Sequence, residues 1–135
     1  MANKIRHIAM TTEDPGKVAE FYKEAFNMQE VGRTVTHVFL SDGYMNLTIL
    51  KWKTEKDLDM GPNGPNYSGI HHIGFQVADL DAACEELTAA NAVSLSTSEG
   101  VDTASFTPRT PRAEMKWAGP DGQVLDISVP GWLYQ

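Results

Sequence analysis

The sequence is short of most features that would place it outside the ordinary small globular proteins. Cys84 is its only cysteine, so no internal disulfide can form, and a reducing, cytoplasmic setting is expected. Basic residues are few: 11 Lys and Arg face 18 Asp and Glu, a net charge of −7, with no basic stripe. Nucleic acid needs such a stripe and is therefore not an expected partner. No apolar run approaches the roughly 20 residues that span a bilayer. The opening Met-Ala-Asn-Lys-Ile-Arg has no apolar leader segment, so no membrane partner is expected either. What remains is 135 residues, 41% of them hydrophobic, enough for one domain over residues 1–135.

The most informative stretch is Ile70-His71-His72-Ile73-Gly74-Phe75-Gln76-Val77, followed by Asp79. Ile73, Phe75 and Val77 alternate with His72, Gly74 and Gln76, which puts an apolar set and a small polar set on opposite faces of a strand. The layout repeats. His7-Ile8-Ala9-Met10 with Asp14 has the same form, and His7 to His72 and Asp14 to Asp79 are both 65 residues apart.

The chain divides into two modules of the form β-α-β-β-β, over about 4–52 and 69–130, joined by a linker at 53–68 rich in Gly, Pro, Asn and Asp. Strands are expected over Ile5 to Thr11, Gln29 to Arg33, Thr36 to Leu40 and Asn46 to Trp52 in the first module. The helix between them starts at Asp14-Pro15, buries Val18, Phe21, Tyr22, Ala25 and Phe26, and ends at Asn27. In the second module a helix over Leu80 to Ala90 buries Ala83, Leu87 and Ala90. Strands follow near Val93 to Ser96, over Ala113 to Ala118 and over Gln123 to Val129, with a polar loop at Glu99 to Pro111 expected to cover a site. Glu55, Asp57 and Asp59 read as a solvated face.

Neither module can bury a core alone. Ile8, Met10, Leu47, Ile49, Ile73, Phe75, Leu125, Ile127 and Val129 are expected to face the helices. His7, Ala9, Asn46, Thr48, His72, Gly74, Gln76, Asp126 and Ser128 then line a common cavity. A small polar face of that kind is costly to bury dry and suits a metal or a ligand. A charge at Asp126, between Leu125 and Ile127, needs a partner there.

These residues resemble the vicinal oxygen chelate superfamily, which includes glyoxalase I, bleomycin-resistance proteins, extradiol dioxygenases and methylmalonyl-CoA epimerase. The resemblance spans nearly the whole chain. Its carriers are His7-Ile8-Ala9-Met10 with Asp14 and Phe21-Tyr22, His71 to Val77 with Asp79-Leu80, and Gly119-Pro120-Asp121-Gly122-Gln123-Val124-Leu125-Asp126. It implies an α+β fold of two tandem β-α-β-β-β modules, with curled mixed sheets around a central cavity. It also implies a divalent metal held by His7, His72 and Asp126, with Thr48, or Asn46 if the register shifts, at the fourth position. His71 has the opposite parity and reads as a supporting neighbour. Asn46, Gln76, Trp117 and Ser128 are the substrate-pocket candidates, and Arg109 or Arg112 a possible clamp for an anion.

Two histidines and one carboxylate with open positions favour Fe(II), with Mn, Ni, Co or Zn as alternatives. The expected function is a metal-dependent enzyme acting on a small oxygen-rich substrate, narrowly a non-haem Fe(II) dioxygenase. The alternatives are a glyoxalase I- or epimerase-like lyase or isomerase, and a metal-free small-molecule binding protein. The resemblance implies a homodimer. Departures are plain: the histidine and tyrosine of the dioxygenase pattern, the first-module carboxylate of glyoxalase I and the amide ligand of the epimerase are all missing.

Overall fold

The computed structural model of the chain describes residues 3–95 and 114–132. Ten elements follow in order: β1 (Lys4–Thr12), α1 (Pro15–Phe26), β2 (Gln29–Arg33), β3 (His37–Ser41), β4 (Asn46–Lys51), β5 (Gly69–Gln76), α2 (Leu80–Ala89), β6 (Val93–Ser94), β7 (Met115–Ala118) and β8 (Val124–Ser128). The two β-α-β-β-β runs read from the sequence are both present, with ends displaced by a residue or two. The loop at Glu99 to Pro111, Ser96, Ala113, Arg109 and Arg112 lie outside the described residues.

Both helices begin as their sequences dictate. Asp14 and Asp79 cap them, accepting hydrogen bonds from the backbone N–H of Lys17 and Ala82. Asn27 ends α1 in the left-handed conformation that asparagine tolerates. Asp42 closes the β3–β4 loop by accepting from the N–H groups of Tyr44 and Met45.

All eight strands form one curled, unclosed sheet in the order β2-β3-β4-β1-β5-β8-β7-β6. The modules join edge to edge through β1 and β5, which run antiparallel, while β4 on one flank and β8 on the other run parallel to them. The centre of the sheet is therefore shared by both modules, and strands of one chain bring their side chains together there.

Each helix covers its own half of one face. Ala19 packs with Val38, Leu40 and Ile49 against Met10, Val18, Tyr22 and Leu47. On the other half Ala83 packs with Val77, Met115, Trp117 and Ile127 against Phe75 and Leu87. Large side chains buried this way each contribute roughly 1.5–3 kcal/mol. Parity placed most of these residues correctly, but three details differ. Phe21 and Phe26 are 57% and 66% exposed and Ala25 is exposed with them, because the face of α1 that meets the sheet runs through Val18, Ala19 and Tyr22. Phe21 instead meets Tyr22 and Phe26 edge-on, and Phe26 stacks on Tyr22. Ala90 is the exposed end residue of α2. Val129 lies past β8 and is exposed.

The linker also departs from expectation. Glu55 and Asp57 are exposed, but Asp59 is only 5% exposed and sits between Lys53 and Lys116, at 3.1 and 3.5 Å. A loop rich in Gly and Pro is not thereby a solvated one. This one is tied down by Thr11, which donates to the Tyr67 carbonyl, and by the Asn66 N–H to the Lys53 carbonyl.

Candidate metal centre

Three adjacent strands supply the site. Registers pair His7 with Gly74, and Gly74 with Asp126, so β1, β5 and β8 present His7, His72 and Asp126 on the same face. The pairing of β1 with β5 is interrupted on both sides of His7, and such bulges re-aim a side chain. Gly74 makes room for it. A Cβ there would lie 2.6 Å from the Trp132 ring and 2.8 Å from that of His7.

The three side chains are buried and their donor atoms meet. His7 Nε2 lies 3.2 Å from His72 Nε2 and 3.6 Å from Asp126 Oδ2, and His72 Nε2 lies 2.9 Å from that same oxygen. Together they form the one group of three metal-ligating side chains among the described residues.

The hydrogen bonds around them decide the tautomers. The Met60 carbonyl can only accept, so His71 Nε2, at 2.9 Å, carries a proton and donates to it. A neutral His71 then accepts at Nδ1 from His72 Nδ1–H, at 2.6 Å. His72 Nε2 is left with a bare lone pair. On β1, the Asn46 side-chain oxygen accepts from His7 Nδ1 at 2.6 Å and from Thr48 Oγ1 at 2.7 Å, which bares His7 Nε2 in the same way. Asp126 Oδ2 receives no hydrogen bond at all.

Two lone pairs and a carboxylate oxygen thus converge among buried side chains, with no donor between them among the described residues. Such an arrangement repels itself unless a cation sits among the three. An ion bound at about 2.1 Å to each ligand spaces neighbouring ligand atoms about 3–3.5 Å apart, within about 0.1 Å of the observed 2.9, 3.2 and 3.6 Å. The residues present fit a divalent metal.

Electrostatics agree. Burial lowers the pKa of His72 to about 3 against the pull of Asp126, and lowers that of His7 as well, so both rings are neutral and able to ligate. Burial alone would raise the Asp126 pKa. The Lys116 ammonium, which donates to Oδ1 at 2.8 Å, outweighs it and holds the group below the usual carboxylate range. Burial, with Lys53 and Lys116 nearby, also lowers His37 to about 4. A histidine kept neutral in the fold stabilises it above its unfolded pKa of about 6.5, and that stability is lost as pH falls. In metal-free protein the urea midpoint is therefore expected to drop steadily from about pH 6.5 to about pH 4. His37→Phe should remove part of that slope. A midpoint flat across this window would contradict neutral buried rings.

Thr48 occupies the repeat equivalent of Asp126: Ala9 pairs with Thr48 as Gly74 pairs with Asp126. Its hydroxyl nevertheless turns to Asn46, so it acts on His7 through that amide. Of the pocket candidates, Asn46 fixes the His7 ring. Gln76 reaches the backbone carbonyls of Val129 and Pro130, and Ser128 accepts from the Gly131 N–H. Both hold the turn that carries Trp132. Trp117 is corrected to the core under α2, because it pairs with Leu125 on the face opposite Asp126.

Four residues were missed. Lys116, 4% exposed, donates to Asp126 Oδ1 at 2.8 Å and lies 3.5 Å from both Asp59 and Glu114. Glu114 is buried and accepts from Trp132 Nε1 at 2.7 Å, and the Trp132 ring stacks on His7 with centroids 4.4 Å apart. Asp59 closes the set. The turn Gly119-Pro120-Asp121-Gly122 held the signal, since counting back across it puts Lys116 directly opposite Asp126.

Residues 4–125 match the Glyoxalase/Bleomycin resistance protein/Dioxygenase superfamily. The chain belongs to it. Glyoxalase I of Saccharomyces cerevisiae is 26% identical over an alignment covering 91% of this chain and 44% of the yeast protein, so the chain spans less than half the length of that relative. A methylmalonyl-CoA epimerase solved with methylmalonyl-CoA and NH4+ superposes with a TM-score of 0.67 at 20% identity, covering 94% of each chain. The Mn(II)-bound glyoxalase of Novosphingobium aromaticivorans superposes at 0.65 with 14% identity, over 93% of this chain and 38% of that one. At these identities the two structures establish the shared glyoxalase fold.

Proposed function

We propose that this member of the superfamily is a metal-dependent enzyme of the lyase or isomerase kind, shifting a proton beside a carbonyl of a small oxygen-rich substrate. The observation that carries the reading is the meeting of two bare imidazole nitrogens and an undonated carboxylate oxygen. The likeness to a glyoxalase I and to a methylmalonyl-CoA epimerase points the same way.

A divalent ion at this site would act as a Lewis acid toward negative charge developing on substrate oxygen. His7 and His72 offer it neutral nitrogens, each locked by a partner on its far side, Asn46 and His71. Asp126 offers one oxygen, because Lys116 holds the other. Trp132 shields one side of His7, and near-complete burial keeps water from competing. Glu114, which accepts from Trp132 beside His7 and lies 3.5 Å from Lys116, is the carboxylate we assign to take up and return a proton.

A second reading, the Fe(II) dioxygenase, rests on Thr48. Its turn toward Asn46 leaves two histidines and one carboxylate, the pattern of open non-haem iron sites. One experiment separates the readings. Protein purified without added metal is analysed for metal, then incubated with α-hydroxy carbonyl compounds in D2O and with catechols under an oxygen electrode. Deuterium is expected to enter the carbon beside the carbonyl, and Glu114→Gln should stop this even when metal is supplied to saturation. Iron-dependent oxygen uptake without deuterium exchange would instead establish the dioxygenase. Ligand binding without metal, unchanged in His72→Ala, would make the chain a binding protein.

A further inference from the structure

One short stretch of the linker supplies outer partners to two of the three ligands. The Met60 carbonyl accepts from His71 Nε2, and His71 in turn accepts from His72 Nδ1. One residue earlier, Asp59 Oδ2 lies 3.5 Å from Lys116 Nζ, which donates to Asp126 Oδ1. Asp59 is buried and is also held by Lys53, at 3.1 Å. Gly61 then packs the linker on β8 and on His71: a Cβ there would lie 3.3 Å from Val124 and 3.5 Å from His71 Nε2. Both chains of contact run from the linker through one intermediate residue to a ligand atom's own ring or carboxylate.

We propose that the linker around Asp59 and Met60 is the outer support of the metal centre, and that Asp59 is a positioning residue setting how strongly Asp126 can ligate. The physical argument is charge sharing. Lys116 is shared among Asp126, Asp59 and Glu114. Each carboxylate that draws on the ammonium leaves more negative charge on Asp126 Oδ2, the oxygen that faces the two histidines. Without the Asp59 charge, Lys116 falls more fully to Asp126 and weakens it as a ligand. Coupling of this kind is reciprocal: an ion that draws on Asp126 and His72 must tighten the linker contacts behind them. The sequence gives the linker no such role, since its composition is that of an ordinary connecting loop.

This inference rests on the metal reading, and the test keeps the two apart. Titration of the metal-free protein with Mn(II) or Zn(II) is expected to show one site. Asp59→Asn should bind the same ion about 10-fold more weakly, the effect typical of an outer partner, and Asp59→Glu should regain part of the loss. Glu55→Gln, exposed on the same loop, should stay within about twofold of wild type, below any outer-partner effect. In the wild-type protein, metal saturation should slow hydrogen exchange at the backbone amides of residues 57–61, a readout that needs no variant to fold. If wild type binds the ion but Asp59→Asn binds equally well, or exchange in the linker ignores the metal, the inference fails and the metal site stands. If wild type binds no ion, the metal reading itself fails.

Discussion

His72→Ala is expected to empty the metal centre: affinity should fall by more than about 100-fold, beyond the range typical of outer partners, and any metal-dependent turnover should go with it. His72 is the only ligand that lies close to both others, at 3.2 Å from His7 and 2.9 Å from Asp126. Removing it leaves His71 without its Nδ1 donor and leaves Asp126 Oδ2 facing a void. The fold itself should hold, because His72 belongs to neither apolar cluster. Metal content by mass spectrometry and the denaturant midpoint of metal-free protein check both halves. Retained metal at wild-type affinity would show that the convergence of donor atoms is not the binding site.

Lys116→Met should be strongly destabilising. The side chain is 4% exposed and sits among Asp126, Asp59 and Glu114. Methionine fills similar volume, so the loss is one of charge rather than packing. Stranding buried charge by removing one partner costs about 3–5 kcal/mol, a fall in Tm of roughly 10 °C or more for a chain of this size. Two signs accompany it. Asp126 and Asp59 lose the ammonium that lowers their pKa values and take up protons more readily in the fold, so the penalty of the substitution shrinks as pH falls. The histidine-driven slope of the wild type runs the other way. A divalent ion should also stabilise the variant more than the wild type, since it replaces missing positive charge. Melting curves at two pH values, with and without metal, read both effects. A variant as stable as wild type would mean that the three carboxylates are satisfied without Lys116.

The kind of structure this is, and most of its site, were legible from residue order alone. Period-2 alternation around His7 and His72 put both on one face, and capping aspartates at 14 and 79 marked where each helix starts. The 65-residue repeat paired the two halves. These are local signals, carried by the geometry of a strand or a helical turn, and they survive folding unchanged. Asp126 stood out as a charge in mid-strand that needed a partner, while its place among the ligands was implied by the resemblance to the superfamily.

What only the tertiary structure decided depends on contacts between distant segments. Edge-to-edge pairing of β1 with β5 brought the first strands of the two modules together. Register across the β7–β8 turn sent Trp117 to the core and Lys116 to the ligands, and a one-residue shift would have reversed them. Folding of the linker onto the site turned Asp59 from a surface charge into a buried one. Proton positions came last. Nothing in the sequence says that His71 supports His72 or that Thr48 turns to Asn46, because a hydrogen bond's direction is set by the acceptors that folding brings within reach.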